Sequence, residues 1–191
     1  HPGGAAVKKF VRYATPVVCN ETFWGFGTSL FPTIMGHMDG SKEILAAYAI
    51  AGNITNLCTS GIFAIASTAA IVIGQEIGSG RREQAFDLGA LLDTLAFLFG
   101  LVAGGLFLVL LHVFIAPVLY PLFKLSAGAG EICTLMLTVT FCLIPLRSFD
   151  STNIVGVLRG GGDVRVATLI DLTPLWVVAI PLAALAGLVF R

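Results

Sequence analysis

Predominantly apolar runs of 20 or more residues, parted by short polar turns, fill the chain from Tyr13 to its end. A helix needs about 20 such residues to cross the hydrocarbon core of a bilayer. Lipid offers no partner for backbone N–H and C=O groups, so a spanning run must close its hydrogen bonds as a helix. The expected fold is therefore an all-α polytopic membrane protein. Charge agrees, because only 12% of residues are charged and 57% are hydrophobic, too few charges to cover a soluble domain of this length.

Five spans are expected, at about 13–36, 44–73, 87–116, 131–157 and 166–190, after a polar lead over 1–12 that carries Lys8, Lys9 and Arg12. Pro16 falls near the start of the first span, where proline is tolerated. The third is expected to end before Pro117 and Pro121. The second is longer than a bilayer requires, so it should tilt, kink or project. Its Asn53, Asn56, Ser60 and Ser67 form a polar, small-residue stripe that serves either as helix-packing contact or as cavity lining. Gly100, Gly104 and Gly105 allow close packing of the third span. The His-Pro-Gly-Gly start has no Met and no signal-peptide pattern, and reads as cut from a longer chain.

Five spans alternate the loops between two sides. Lys8, Lys9, Arg12, Arg81, Arg82, Arg159 and Arg165 collect on one side, against Lys42, Lys124 and Arg191 on the other. The side richer in Lys and Arg is the cytoplasmic one, so the N-terminus is expected in the cytoplasm of a multi-pass protein of the plasma (inner) membrane. The arginines are read most simply as topology anchors.

Several function classes drop out. Net charge is zero with no basic block, which argues against nucleic acid as a partner. Cys19, Cys58, Cys133 and Cys142 lie in apolar runs without a CxxC pair, so free buried thiols are expected rather than disulfides or a metal site. Gly160–Gly162 lacks the strand-to-helix setting of a phosphate loop. No His, Asp or Ser/His cluster at membrane depth speaks for an enzyme, and no cofactor is expected.

Two acids break the apolar pattern. Glu21 lies nine residues after Arg12, and Asp150 nine before Arg159, so each sits about 13 Å below its basic belt. An ionised acid at that depth costs roughly 2.5–3.5 kcal/mol, and two at one level point to a shared cation site. Asn20 and Asn153 are candidate neighbouring oxygen donors. Glu21 has no basic residue within a helical turn. Asp150 has Arg147 three residues away, so an intrahelical ion pair is the alternative to a cation site there. Asp93 and Asp171 lie nearer the cytoplasmic ends of their spans and read as interfacial or capping residues.

Three stretches carry a resemblance. Pro16-Val17-Val18-Cys19-Asn20-Glu21-Thr22-Phe23-Trp24 resembles the opening of the C-terminal lobe of multidrug and toxic compound extrusion (MATE) transporters. The run from Ile73 to Ala85, with Gln75, Gly78, Gly80 and Arg81, is similar to that family's loop between the next two spans. Gly156-Val157-Leu158-Arg159-Gly160-Gly161-Gly162-Asp163, followed by Trp176 and Ile180-Pro181, is similar to its glycine-rich Leu-Arg-Gly loop.

The resemblance implies about five helices of a six-helix lobe, paired in the family with an N-terminal lobe that this chain lacks. It implies a secondary antiporter in which organic cations or drugs leave the cell in exchange for Na⁺ or H⁺. Glu21 matches the family's first-span acid by motif, and Asp150 its fourth-span acid by helix and approximate position. A Na⁺ at Glu21 and Asp150 is the one metal ion it implies. Asn53, Asn56 and Arg147 join Asn20 and Asn153 as candidate cavity lining. Lipid-linked oligosaccharide flippases share the wider fold but favour basic cavities, and here Arg147 reads as the only deep cation. A truncated, non-transporting fragment is the third reading.

Overall fold

A computed structural model describes residues 3–189. The expected end of the fifth span at 190 and the terminal Arg191 lie outside the described residues. Helices occupy nearly all of the chain, and no strand is present among the described residues. We number five rods. They are α1 (Gly4–Met35), α2 (Ser41–Gly78), α3 (Arg82–Leu110, continued by Leu111–Leu119 and Tyr120–Leu122), α4 (Ala127–Ser151, continued by Thr152–Arg159) and α5 (Val164–Thr173, Pro174–Ala179 and Ile180–Val189). The rods α2 to α5 are long and apolar enough to cross a membrane. The fold is that of an all-α polytopic membrane protein. The first expected span forms as a helix of 32 residues, but it is less apolar than the other four.

The helices outrun their expected ends. Helix α1 begins at Gly4, so most of the lead is helical and Pro16 stands inside the helix rather than near its start. There the missing N–H removes one ladder bond. The third rod passes Pro117 in wide π-helical turns instead of stopping before it. Bonding five residues back re-routes the ladder around a residue that cannot donate. Similar wide turns carry α4 on to Arg159 and α5 past Pro174. Gln75 and Gly78 therefore lie in the last turn of α2, and Arg159 ends α4, where loop positions are expected from the sequence.

Real turns are set by backbone chemistry. Helix α2 stops where Gly80 turns left-handed (φ 83°), with Arg81 N–H donating to the Glu76 carbonyl and Gly80 N–H to that of Ile77. Helix α4 stops the same way at Gly162 (φ 92°), with Asp163 N–H donating to Leu158 O and Gly162 N–H to Arg159 O. This pair of bonds satisfies carbonyls that a helix end leaves open. Asp163 then caps α5, its side chain accepting from Val166 N–H. The hairpin between α4 and α5 is therefore only Gly160–Asp163 long.

Small residues bring α2, α3 and α4 into contact. A Cβ on Gly100 would lie 2.7 Å from Pro145 Cα, and one on Gly104 2.7 Å from the Phe141 carbonyl, so α3 and α4 touch through backbone. Gly156 in the last turns of α4 and Gly160 just past its end close on Ala66, Ala69 and Ala70 of α2. Such small-residue seams let dispersion contacts hold helices together where lipid is as apolar as leucine. The core is built on this trio, with Ile62, Leu111, Leu137, Phe141 and Ile144 buried in it. Helix α1 instead lies along α5, where Gly27 meets Leu175 and Ile180, and Gly187 meets Ile34.

The cysteines are free among the described residues, but only Cys133 is buried; Cys58 is half-buried, and Cys19 and Cys142 are exposed on outward faces. An apolar run has a lipid-facing side as well as a core side, and composition does not separate them.

Candidate functional site

The hairpin at Gly160–Asp163 folds α5 back along α4, so residues equally far from it come to equal heights. Asp150 lies nine residues before Arg159, and Asp171 eight after Asp163. Both therefore stand about two helical turns in from that end. Helix α1 runs parallel to α5, and Asn20 Nδ2 donates to Asp171 Oδ2 at 2.8 Å, which brings Glu21 to the same level. A cavity of about 730 Å³ opens there, lined by Glu21, Asp150 and Asp171 from three rods and by Arg147 and Arg159 from α4. Trp24, Phe63, Leu143 and Leu146 supply apolar wall.

The charges are not paired as their sequence neighbours imply. Among the described residues Arg147 makes no ion pair, so Asp150 is not held by it. Arg159 reaches in from the end of α4 and splits its guanidinium between two acids. Nη1 donates to Glu21 Oε1 at 2.7 Å and Nη2 to Asp171 Oδ2 at 3.2 Å. Glu21, with no basic residue within a turn of its own helix, is thus paired through tertiary contact. Asp171 is no interfacial cap: it accepts from both Asn20 and Arg159 and lines the cavity. Arg159 is correspondingly more than a topology anchor, because its long side chain extends inward while only its backbone stays at the helix end.

Three acids against two arginines leave the cavity walls one formal negative charge in excess. Arg147 is not the only deep cation, yet the balance still favours a cationic guest. Asn20 is fully buried behind the wall rather than lining it, and its Oδ1 has no partner. The Nε of Arg159 is likewise buried and unpaired. Asn53, Asn56 and Asn153, expected as lining, are not among the walls. Asn53 and Asn56 lie exposed on α2, roughly on the helix face that carries Phe63 to the cavity, and Asn153 is half-buried on α4. A stripe marks a helix face, whereas the crossing of neighbouring helices decides which turn of it borders a void. Asp93 stands outside the cavity with one buried, unpartnered carboxylate oxygen.

Among the described residues no three His, Cys, Asp or Glu side chains converge closely enough to hold a metal ion. Aromatic packing steadies the neighbouring wall: Trp176 of α5 stacks on Phe26 at 5.9 Å and meets Phe23 edge-on at 6.4 Å. At the cavity's end of the molecule Arg81 closes on Glu76 through two hydrogen bonds, at 2.6 and 3.0 Å. That contact ties the α2–α3 turn to its own helix and leaves the cavity untouched.

The MatE family model matches residues 17–185, from the first residues after Pro16 to the last turns of α5. The chain belongs to the MatE family. The match takes in Asn20, Glu21, Asp150, Arg159 and Asp171 together. Among relatives, the chain is 32% identical over 159 residues to a protein of Halalkalibacterium halodurans described as "Probable multidrug resistance protein NorM". It is 29% identical over 158 residues to a Bacillus cereus protein of the same description. Each alignment covers 82% of this chain but only 33% and 34% of the relative. This MatE chain thus spans about a third of the length of the curated relatives it matches. No solved structure matches it.

Proposed function

We propose that this MatE-family chain forms part of a secondary antiporter that exports organic cations or drugs in exchange for Na⁺ or H⁺. In this reading it works with an N-terminal lobe in the plasma (inner) membrane of the cell, its own N-terminus on the cytoplasmic side, and needs no cofactor. The task is transport and not catalysis. One observation carries the proposal: a 730 Å³ cavity with acids from three helices at one level and a net negative wall.

The chemistry suits exchange. A carboxylate at membrane depth is stable when protonated or paired with a cation, and costly when bare. Drug and coupling ion then compete for the same acids, and each biases the protein toward the state that binds it better. Apolar walls from Trp24, Phe63 and Leu143 accept the body of a lipophilic cation, while Glu21 and Asp150 take its charge. Two arginines bring the flippase alternative into view, but a cavity with excess negative charge would repel a pyrophosphate-linked lipid.

The test is dye efflux in inverted vesicles from the full-length transporter, under an imposed Na⁺ or H⁺ gradient. Glu21→Gln and Asp150→Asn are each expected to lose gradient-driven transport at normal membrane levels. The gradient that drives the wild type names the coupling ion. Undiminished transport in both variants would make these acids structural and sink the proposal.

A further inference from the structure

Arg159 is held by two acids on two different helices. Its guanidinium does not dock side-on to one carboxylate through two parallel bonds, the strong arrangement for arginine. It offers one nitrogen to Glu21 of α1 and another to Asp171 of α5, while its Nε is left buried and unpaired. It sits between two acids as a free cation would. Its own side chain is shielded, with 15% of its surface exposed, whereas that of Glu21, which lines the cavity, is 56% exposed. A positively charged guest entering the cavity therefore finds Glu21 more accessible than the arginine that holds it.

We propose that Arg159 is the site's internal cation: it occupies Glu21 and Asp171 when the cavity is empty, and a cationic guest binds by displacing it from Glu21. This rests on the cation-exchange reading above and adds the residue that sets its affinity. The backbone beneath Arg159 cannot follow the exchange, because Gly156 and Gly160 seat this stretch of α4 against α2 at backbone contact. The side chain alone moves. Displacement also frees α1, which rests mainly on α5, from its charged tie to the α2–α4 core. Binding is thereby linked to the freedom of one helix group against another.

The experiment is binding of tritiated tetraphenylphosphonium, a lipophilic monocation, to the purified full-length protein in detergent, with melting temperature recorded for each variant. Arg159→Gln is expected to bind about tenfold tighter than wild type, since the guest no longer competes. Arg147→Gln removes the same charge from the same cavity without touching Glu21, and is expected to gain less than about threefold. In a Glu21→Gln background, Arg159→Gln should bring no gain. Should Arg159→Gln fail to fold, Arg159→Lys takes its place: lysine lacks the planar guanidinium fork that offers Glu21 and Asp171 one nitrogen each, and a gain of about threefold is expected. Equal gains for Arg159→Gln and Arg147→Gln would reduce the effect to a general field and overturn the proposal. So would unchanged or weaker binding in the folded Arg159 variant beside good wild-type binding, which leaves the transport reading intact. Absence of binding in every variant would overturn both.

Discussion

Arg159 Nη1 lies 2.7 Å from Glu21 Oε1, although 138 residues separate the two in the chain. The contact joins the end of α4 to the middle of α1, and a second bond from the same guanidinium reaches Asp171 on α5. Three rods thus meet at one side chain. Their shared contact contributes to stability, which can be measured apart from transport.

Asp171 accepts from both Asn20 and Arg159, whereas Asp150 accepts from neither arginine. Asp171→Asn should therefore destabilise the protein by about 1.5–3 kcal/mol, the range for hydrogen bonds to a charged group. Asp150→Asn should stay within about 0.5 kcal/mol of wild type. Thermal unfolding in detergent separates them, with Asp171→Asn expected to melt several degrees lower. Equal melting temperatures would mean that the Asp171 network contributes nothing to stability.

The glycines divide by what surrounds them. A Cβ on Gly160 would fall 2.7 Å from Ala70 Cα, while one on Gly105 meets nothing within 4 Å. Gly160→Ala should cost about 2 kcal/mol or more, because backbone must shift to admit it. Gly105→Ala should stabilise by about 0.5–1 kcal/mol through helix propensity alone. Melting curves that ranked the two the other way would contradict the close α2–α4 seam.

Two turns use left-handed backbone with different residues. Gly162 sits at φ 92° and Lys124 at φ 52°, and a side chain in that region costs about 1–2 kcal/mol. Gly162→Ala should lower stability by about 1 kcal/mol. Lys124→Asn should raise it by about 0.5 kcal/mol, since asparagine tolerates that conformation best after glycine. Denaturant titration of both variants reads the signs.

Much of the architecture is legible in the residues themselves. Runs such as Leu91–Leu111 admit only a helix in lipid, and Glu21 and Asp150 come to one level because each stands nine residues from a basic belt. Helix ends are less legible. Pro117 reads as a stop, since local rules give proline no donor, but the packed helix continues by widening its turns. Asp171 reads as an interfacial or capping residue because it lies near the cytoplasmic end of its span. Counting from the glycine turn instead matches its height to Asp150, a signal present in the sequence.

The sequence alone determined the membrane class, the family, the helical rods and two of the acids, because these depend on composition and on one-dimensional periodicity. Only the tertiary structure decided the pairing of the charges. Arg147 is three residues from Asp150 and does not bind it, whereas Arg159 spans to two other helices. A side chain takes the partner that helix crossings bring within its reach, and those crossings are set by where Gly156, Gly160 and Ala70 let backbones touch.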